Sequence, residues 1–80
     1  MAAVRVLSLP CVDEPAAEAF AAWLRGEEVD VNGVDGRNVL IPTSYPPFAW
    51  DVAEAANEHG WAHDDEACAA VGAFLEGAEI

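Results

Sequence analysis

The chain contains no lysine and only three arginines, against fifteen aspartates and glutamates, so its formal net charge is −12. This balance excludes a protein that binds nucleic acid directly through a basic surface. Charge of one sign repels itself and opposes compaction, and an 80-residue chain has little stability with which to offset that repulsion. We therefore interpret the acid excess as the functional surface.

Long apolar runs are also missing. No stretch reaches the roughly 18 apolar residues that suggest a membrane-spanning helix, and an acidic surface is repelled by anionic lipid headgroups. Residues 1–6 lack the apolar segment of a signal peptide. The sequence predicts a cytoplasmic protein that binds no membrane.

Cysteine is scarce, with Cys11 and Cys68 as the whole set. A reducing cytosol keeps thiols free, so we expect two unpaired cysteines, both buried as small hydrophobic side chains. A disulfide between them is the alternative.

Catalytic signatures are absent as well. Ser8, Thr43 and Ser44 lie in no nucleophile-elbow context. Gly33 and Gly36 are explained by turns rather than by a phosphate-binding loop. The acids at 64–66 lack the alternating oxygen ligands, central glycine and late glutamate of a calcium loop. We expect no enzyme and no cofactor.

The chain does contain enough apolar residues for one core, because 54% of its residues are hydrophobic. Residues 1–80 are therefore predicted to form a single domain. The predicted class is α+β, with an antiparallel sheet of about three strands and two to three helices packed on one face, in β-α-β-β-α-α order. The patterns predict a strand over 3–9, a helix over 13–25, a hairpin over 28–41, and helices over 47–58 and 64–75.

The first three elements carry specific expectations. The strand over 3–9 has apolar residues on both faces, which favours an interior position, and the place of Leu7 and Leu9 stays open. Asp13 is predicted to cap the first helix and Gly26 to end it. In the hairpin, Asp35-Gly36 is favoured over Asn32-Gly33 as the turn, which leaves a longer first strand.

Later elements carry further expectations. Pro42 is predicted to end the sheet, and residues 61–63 have an edge strand as one alternative. Asp64 or Asp65 is expected to cap the third helix, whose buried stripe is predicted to include Cys68. A glycine inside that helix, Gly72, indicates close approach to a neighbouring element.

His59 and His63 raise a metal-binding alternative, since imidazoles four residues apart on one helix can share a metal ion. Gly60 lies between them and is expected to break the helix. A helix-terminal His59 and a loop His63 are therefore the preferred interpretation.

Trp50 is a candidate anchor for a partner. It falls off the stripe of Phe48 and Val52, so its indole could be exposed in an acidic surface. The preferred alternative is that Trp50 packs on the loop at Pro46 and Pro47. Tyr45 is not placed by the pattern.

The acids themselves fall at spacings that suit a partner-binding face. Carboxylates three and four residues apart on a helix stand roughly 5–6 Å apart, and duplex DNA carries one charge per about 1.7 Å of axis over two strands. A spaced acidic face can thus imitate phosphates in a basic groove. The predicted partner-binding residues are Glu27, Glu28, Asp30, Asp51, Glu54, Glu58, Asp64, Asp65 and Glu66.

Habitat or coding bias could also produce an acidic chain. Proteins of salt-rich cytoplasm are acidic and poor in lysine because salt screens the repulsion. A GC-rich coding sequence enriches Ala, Gly, Val, Asp and Glu, although it would also enrich arginine, which is scarce here. Either origin would leave the chain with a structural or protein-interaction role, and a small metal-binding protein using His59 and His63 is the third alternative.

In its size, its charge and its lack of a catalytic motif, the chain resembles the phage-encoded anti-CRISPR inhibitors that imitate nucleic acid. That group is diverse in fold, so the resemblance assigns a role to no residue. It implies binding to the DNA- or PAM-recognition surface of a CRISPR surveillance complex, and a block of target DNA.

Overall fold

Three strands and three helices follow one another in β-α-β-β-α-α order in the computed structural model, which describes residues 5–43 and 47–78. The predicted α+β class and element order are confirmed. The elements are β1 (Arg5–Pro10), α1 (Glu14–Gly26), β2 (Gly33–Asp35), β3 (Asn38–Thr43), α2 (Phe48–Glu58) and α3 (Asp64–Ala78).

The sheet is antiparallel with strand order β1-β3-β2, so β1 is an edge strand and the predicted interior position is wrong. Leu7 lies opposite Ile41 and Leu9 opposite Val39, and all four are buried. Because side chains alternate along a strand, these residues share the face that packs on the helices. The open question about Leu7 and Leu9 is thereby answered: they belong to the covered face.

The opposite face of the sheet carries Val6, Ser8, Leu40 and Pro42, which we call the open sheet face. Val6 pairs with Pro42 and Ser8 with Leu40. Val6 is 46% exposed, and with Ser8 it lines a shallow pocket beside Ala70 and Ala73 of α3. An antiparallel sheet tolerates one solvated face.

Pro42 does not end the sheet but lies within β3, opposite Val6. Strand β2 pairs with β3 only over residues 38–40. Beyond that point one side of β3 is an edge, where proline is tolerated because no second strand requires its missing N–H.

Helix α1 begins as predicted and ends differently. The Asp13 side chain accepts a hydrogen bond from the Ala16 N–H at 2.8 Å. At the other end the left-handed residue is Glu28, with φ 63°, and not the predicted Gly26. The Val29 N–H donates to the Leu24 carbonyl at 2.9 Å, which is the long bond of a Schellman motif.

The hairpin turns near the predicted place, with Gly36 and Arg37 between the paired Asp35 and Asn38. Gly36 has φ +65°, as the first central residue of a type II′ turn requires. The predicted long first strand is wrong, because Glu28 is used by the helix cap. In addition, Gly33, at φ +143°, interrupts the extended chain.

Helix α2 matches its predicted bounds closely, whereas α3 departs from its prediction in four ways. It begins at Asp64, so Asp64 and Asp65 lie in its first turn rather than capping it. It continues through the predicted stop at Gly77 to Ala78. Cys68 is exposed, and Ala67 is buried in its place. A Cβ added at Gly72 would meet no atom within 4 Å, so the expected close approach is also wrong.

Residues 61–63 form a bend between α2 and α3, not the alternative edge strand. The Trp61 carbonyl accepts a hydrogen bond from the Val12 N–H at 2.8 Å, which ties this connection to the start of α1.

A single core lies between the sheet and the helices. Its largest fully buried side chains are Phe20, Leu7, Leu9, Leu24, Ile41, Val39, Val71 and Cys11. In the described part of the chain, no helix combines the length and apolarity needed to cross a bilayer.

Candidate functional site

The outer side of α2 carries Asp51, Glu54 and Glu58, which we call the acidic ridge. All three are exposed, because the core takes Ala49, Val52, Ala53 and Ala56 from the opposite side of the helix. Spacings of three and four residues place neighbouring carboxylates about 5–6 Å apart at Cβ. The structure thus presents three regularly spaced anionic groups on one rigid element.

A groove runs along one flank of the ridge, between α1 and α2, with a volume of about 210 Å³. It brings Glu27, from the end of α1, to the same groove as Asp51. Its floor is apolar and includes Trp23 and Phe48. Two of the predicted acids therefore share one concave surface.

A smaller pocket of about 150 Å³ lies on the other flank, between α2 and α3. It brings Glu54 to the same cavity as Asp64, the first residue of α3. Trp50 also lines it and is 45% exposed. The indole is thus available to a partner. Of the alternative packing surface, the loop at Pro46 and Pro47, Pro46 lies outside the described residues, as does Tyr45.

Cations stay away from these grooves. Arg5 donates a hydrogen bond to the Phe74 carbonyl and lies 4.5 Å from the centre of the Phe74 ring. Arg37 is bound to Glu66 and Arg25 lies in the last turn of α1. None of the three lines either groove, so no guanidinium offsets the formal charge of the acids there.

Glu66 differs from the other predicted acids because it is paired. Its two carboxylate oxygens accept from Arg37 at 3.0 and 3.1 Å, and Arg37 also donates to the Cys11 carbonyl at 2.7 Å. These hydrogen bonds lower the pKa of Glu66 and raise that of Arg37. Glu66 therefore has a structural partner and the weakest claim to a place in the site.

Three more predicted acids are exposed but do not lie on α2. Glu28 takes the left-handed position after α1, and Asp30 lies in the connection that follows. Asp65 accepts a hydrogen bond from the Glu66 N–H at 2.9 Å in the first turn of α3. The grooves beside α2 unite Glu27 with Asp51 and Glu54 with Asp64, and the nine-residue continuous face stays a prediction.

Sequence reasoning did not find the pocket between α2 and α3, although half of its signal was present. Trp50, Glu54 and Asn57 lie at i, i+4 and i+7 and form one helical stripe. The other half, Asp64 and Cys68, comes from α3, so only the packing of the two helices could reveal the cavity.

The two histidines do not lie on one helix, as the metal-binding alternative requires. His59 stacks on Trp61 with ring centroids 4.5 Å apart and lies 5.1 Å from Trp23. His63 is exposed in the bend before α3. Across the described residues, no three His, Cys, Asp or Glu side chains are grouped so that they could hold a metal ion.

Both cysteines are free, as predicted. Burial raises the pKa of Cys11 to about 11, despite the opposing charge of Arg37. Cys68 is exposed. Its pKa is raised mainly by partial desolvation and, to a smaller extent, by the neighbouring Asp64 carboxylate. Neither thiol has the lowered pKa that marks a nucleophilic cysteine.

Comparison with protein-family models, with curated proteins and with solved structures finds no match to this chain.

Proposed function

We propose that this chain is an inhibitory binding protein whose carboxylates imitate the phosphates of nucleic acid and occupy the basic groove of a nucleic-acid-binding protein. The observation that carries the proposal is the acidic ridge, with its two flanking grooves lined by acids and aromatics and by no arginine. A cleft built to bind phosphates presents Arg and Lys side chains, which are the complement of this surface.

Long-range electrostatics give such a surface its advantage. A net charge of −12 draws a basic partner in at rates that electrostatic steering can raise by about 10- to 1,000-fold. Because charge complementarity sets specificity and association rate more than affinity, we expect the aromatic floor of the grooves to slow dissociation. Trp50 and Trp23 are the exposed and half-buried aromatics placed to do this.

A CRISPR surveillance complex is the partner that we propose to test first, with its DNA- or PAM-recognition surface as the binding site. Such an encounter belongs in the cytoplasm, where thiols remain reduced. The two unpaired cysteines support that location.

The test begins with the capture of binding partners on the immobilised chain. The purified partner is then bound to the chain, and duplex DNA is added as a competitor. We expect duplex DNA to displace the chain, because both occupy one basic groove. We also expect affinity to fall at least about tenfold between roughly 50 and 200 mM salt, since multiple charge contacts are screened.

Two results would contradict the proposal. One is a partner that holds DNA and this chain at the same time. The other is an affinity that salt leaves unchanged.

A thermal melt in dilute buffer distinguishes the proposed function from adaptation to a salt-rich habitat. A chain adapted to salt should unfold in that buffer, whereas a dedicated acidic binder should stay folded.

A further inference from the structure

The pocket between α2 and α3 combines an exposed aromatic ring with two carboxylates. Its walls are Trp50, Ala53, Glu54 and Asn57 from α2, and Asp64, Ala67 and Cys68 from α3. Trp50 is one of two large hydrophobic side chains that remain strongly exposed within the described residues, the other being Val6 on the open sheet face. Tryptophan is enriched among the residues that dominate binding interfaces, so an exposed indole that lines a cavity is a candidate contact for a partner.

The charge of this pocket is uncompensated. Glu54 and Asp64 contribute two negative charges, and no basic residue lines the cavity. The Cys68 thiol lies 3.7 Å from an Asp64 oxygen, and its raised pKa keeps it a neutral donor. The cavity therefore favours a cation.

Its size limits what that cation can be. A volume of about 150 Å³ falls below the roughly 300 Å³ at which small-molecule pockets begin, so the cavity accepts the end of one side chain. A planar guanidinium stacks on an indole and binds carboxylates through several N–H donors, whereas an ammonium does neither as well.

We propose that this pocket binds one arginine side chain of the partner, with the guanidinium stacked on Trp50 and paired with Glu54 and Asp64. The inference rests on the proposed function and deepens it, because a phosphate-binding groove displays arginines. Arginine binding in this pocket would supply the specificity of the interface, while the acidic ridge supplies attraction at longer range.

The test uses the intact chain and a short acetylated Gly-Arg-Gly peptide amide. Binding is followed by NMR on the indole N–H signal of Trp50, which is assigned by its loss in a Trp50→Phe variant. The matched peptide replaces arginine with citrulline, which keeps the shape and removes the charge. A lysine peptide measures the preference between the two cations.

We expect the arginine peptide to shift the Trp50 signal saturably, the citrulline peptide to leave it unmoved, and the lysine peptide to bind at least about threefold more weakly, since cation–π contacts favour arginine. Substituting Glu54→Gln with Asp64→Asn should weaken binding of the arginine peptide about tenfold, the loss of roughly one strong charge-assisted pair. The control, Asp51→Asn with Glu58→Gln, removes the same net charge outside the pocket and should change affinity less than about twofold.

The assignment is overturned if the arginine peptide leaves Trp50 unmoved, if citrulline or lysine binds as well as arginine, or if both double variants lose affinity equally. A thermal melt of each variant verifies folding. If the peptide fails while the chain still competes with DNA, the pocket assignment falls and the proposed function stands. If the arginine peptide binds but the chain does not compete with DNA, the proposed function falls and the pocket still stands as an arginine-binding site.

Discussion

The acidic ridge of α2 and the open sheet face are two solvent-facing surfaces of one small domain, and they are built from different residues. The ridge presents Asp51, Glu54 and Glu58 to solvent. The open sheet face presents Val6, Ser8, Leu40 and Pro42 along its two longer strands, with Asp35 at the hairpin end. The two surfaces therefore differ in charge, while further exposed acids lie elsewhere, as at Glu18 and Glu76.

The two surfaces also differ in how they are held. The ridge lies on a helix whose four buried residues include three alanines, so close packing rather than large side chains fixes its position. The open sheet face is the reverse of strands whose inner residues are Leu7, Leu9, Val39 and Ile41. The sheet therefore supplies stability, and α2 is free to devote its outer positions to charge.

The largest expected effect is on the free energy of unfolding, when residues on the buried and exposed faces of β1 are truncated. Leu7→Ala removes a side chain that is 1% exposed and should lower the free energy of unfolding by about 2–5 kcal/mol. Val6→Ala, on the open sheet face, should change it by only about 0.5 kcal/mol. Urea denaturation measures both, and equal losses would mean that the open sheet face is covered in solution.

A smaller effect distinguishes a paired acid from the unpaired acids of the ridge. The pKa of Glu66 lies below its ordinary value of 4.5 because Arg37 donates to the carboxylate. Its stabilising contribution is therefore present above pH 4.5 and is lost as the pH falls through the lowered pKa.

Glu66→Gln should accordingly be less stable than the wild type near neutral pH, and the two should converge in acid. Thermal melts across this pH range measure the difference. Glu18→Gln, at an exposed α1 position, is the control for the loss of one exposed carboxylate. A constant gap for Glu66→Gln at all pH values would contradict the Arg37 pairing.

Much of the fold follows from short-range patterns. The Asp13 cap lies where predicted, α2 spans nearly its predicted range, and the turn lies one residue from the predicted Asp35-Gly36. Each of these features depends on residues a few positions apart. The acidic ridge belongs to the same category, because three- and four-residue spacing on a helix decides which side chains share a face.

The remaining features depend on long-range packing. The edge position of β1 is set by pairing with β3, about 30 residues further along the chain. Ala67 is buried with Val71 and Phe74, whereas Cys68 is exposed. Adjacent residues lie about 100° apart around a helix axis, so the docking of α3 decides which of the two is buried. The Arg37–Glu66 pair joins residues 29 positions apart, and no local pattern encodes that contact.

The most direct test of the central claim is the reversal of the ridge. Asp51, Glu54 and Glu58 are replaced together by lysine, and affinity for the captured nucleic-acid-binding partner is measured by calorimetry. The matched control replaces Glu18, Asp35 and Glu76, which are exposed elsewhere, so both variants change the net charge equally. Circular dichroism confirms that each remains folded.

The proposed function predicts that the ridge variant loses affinity by more than about a hundredfold, since three close charge pairs become repulsive, and that the control keeps most of its affinity. Wild-type binding by the ridge variant, or equal losses in both variants, would contradict it.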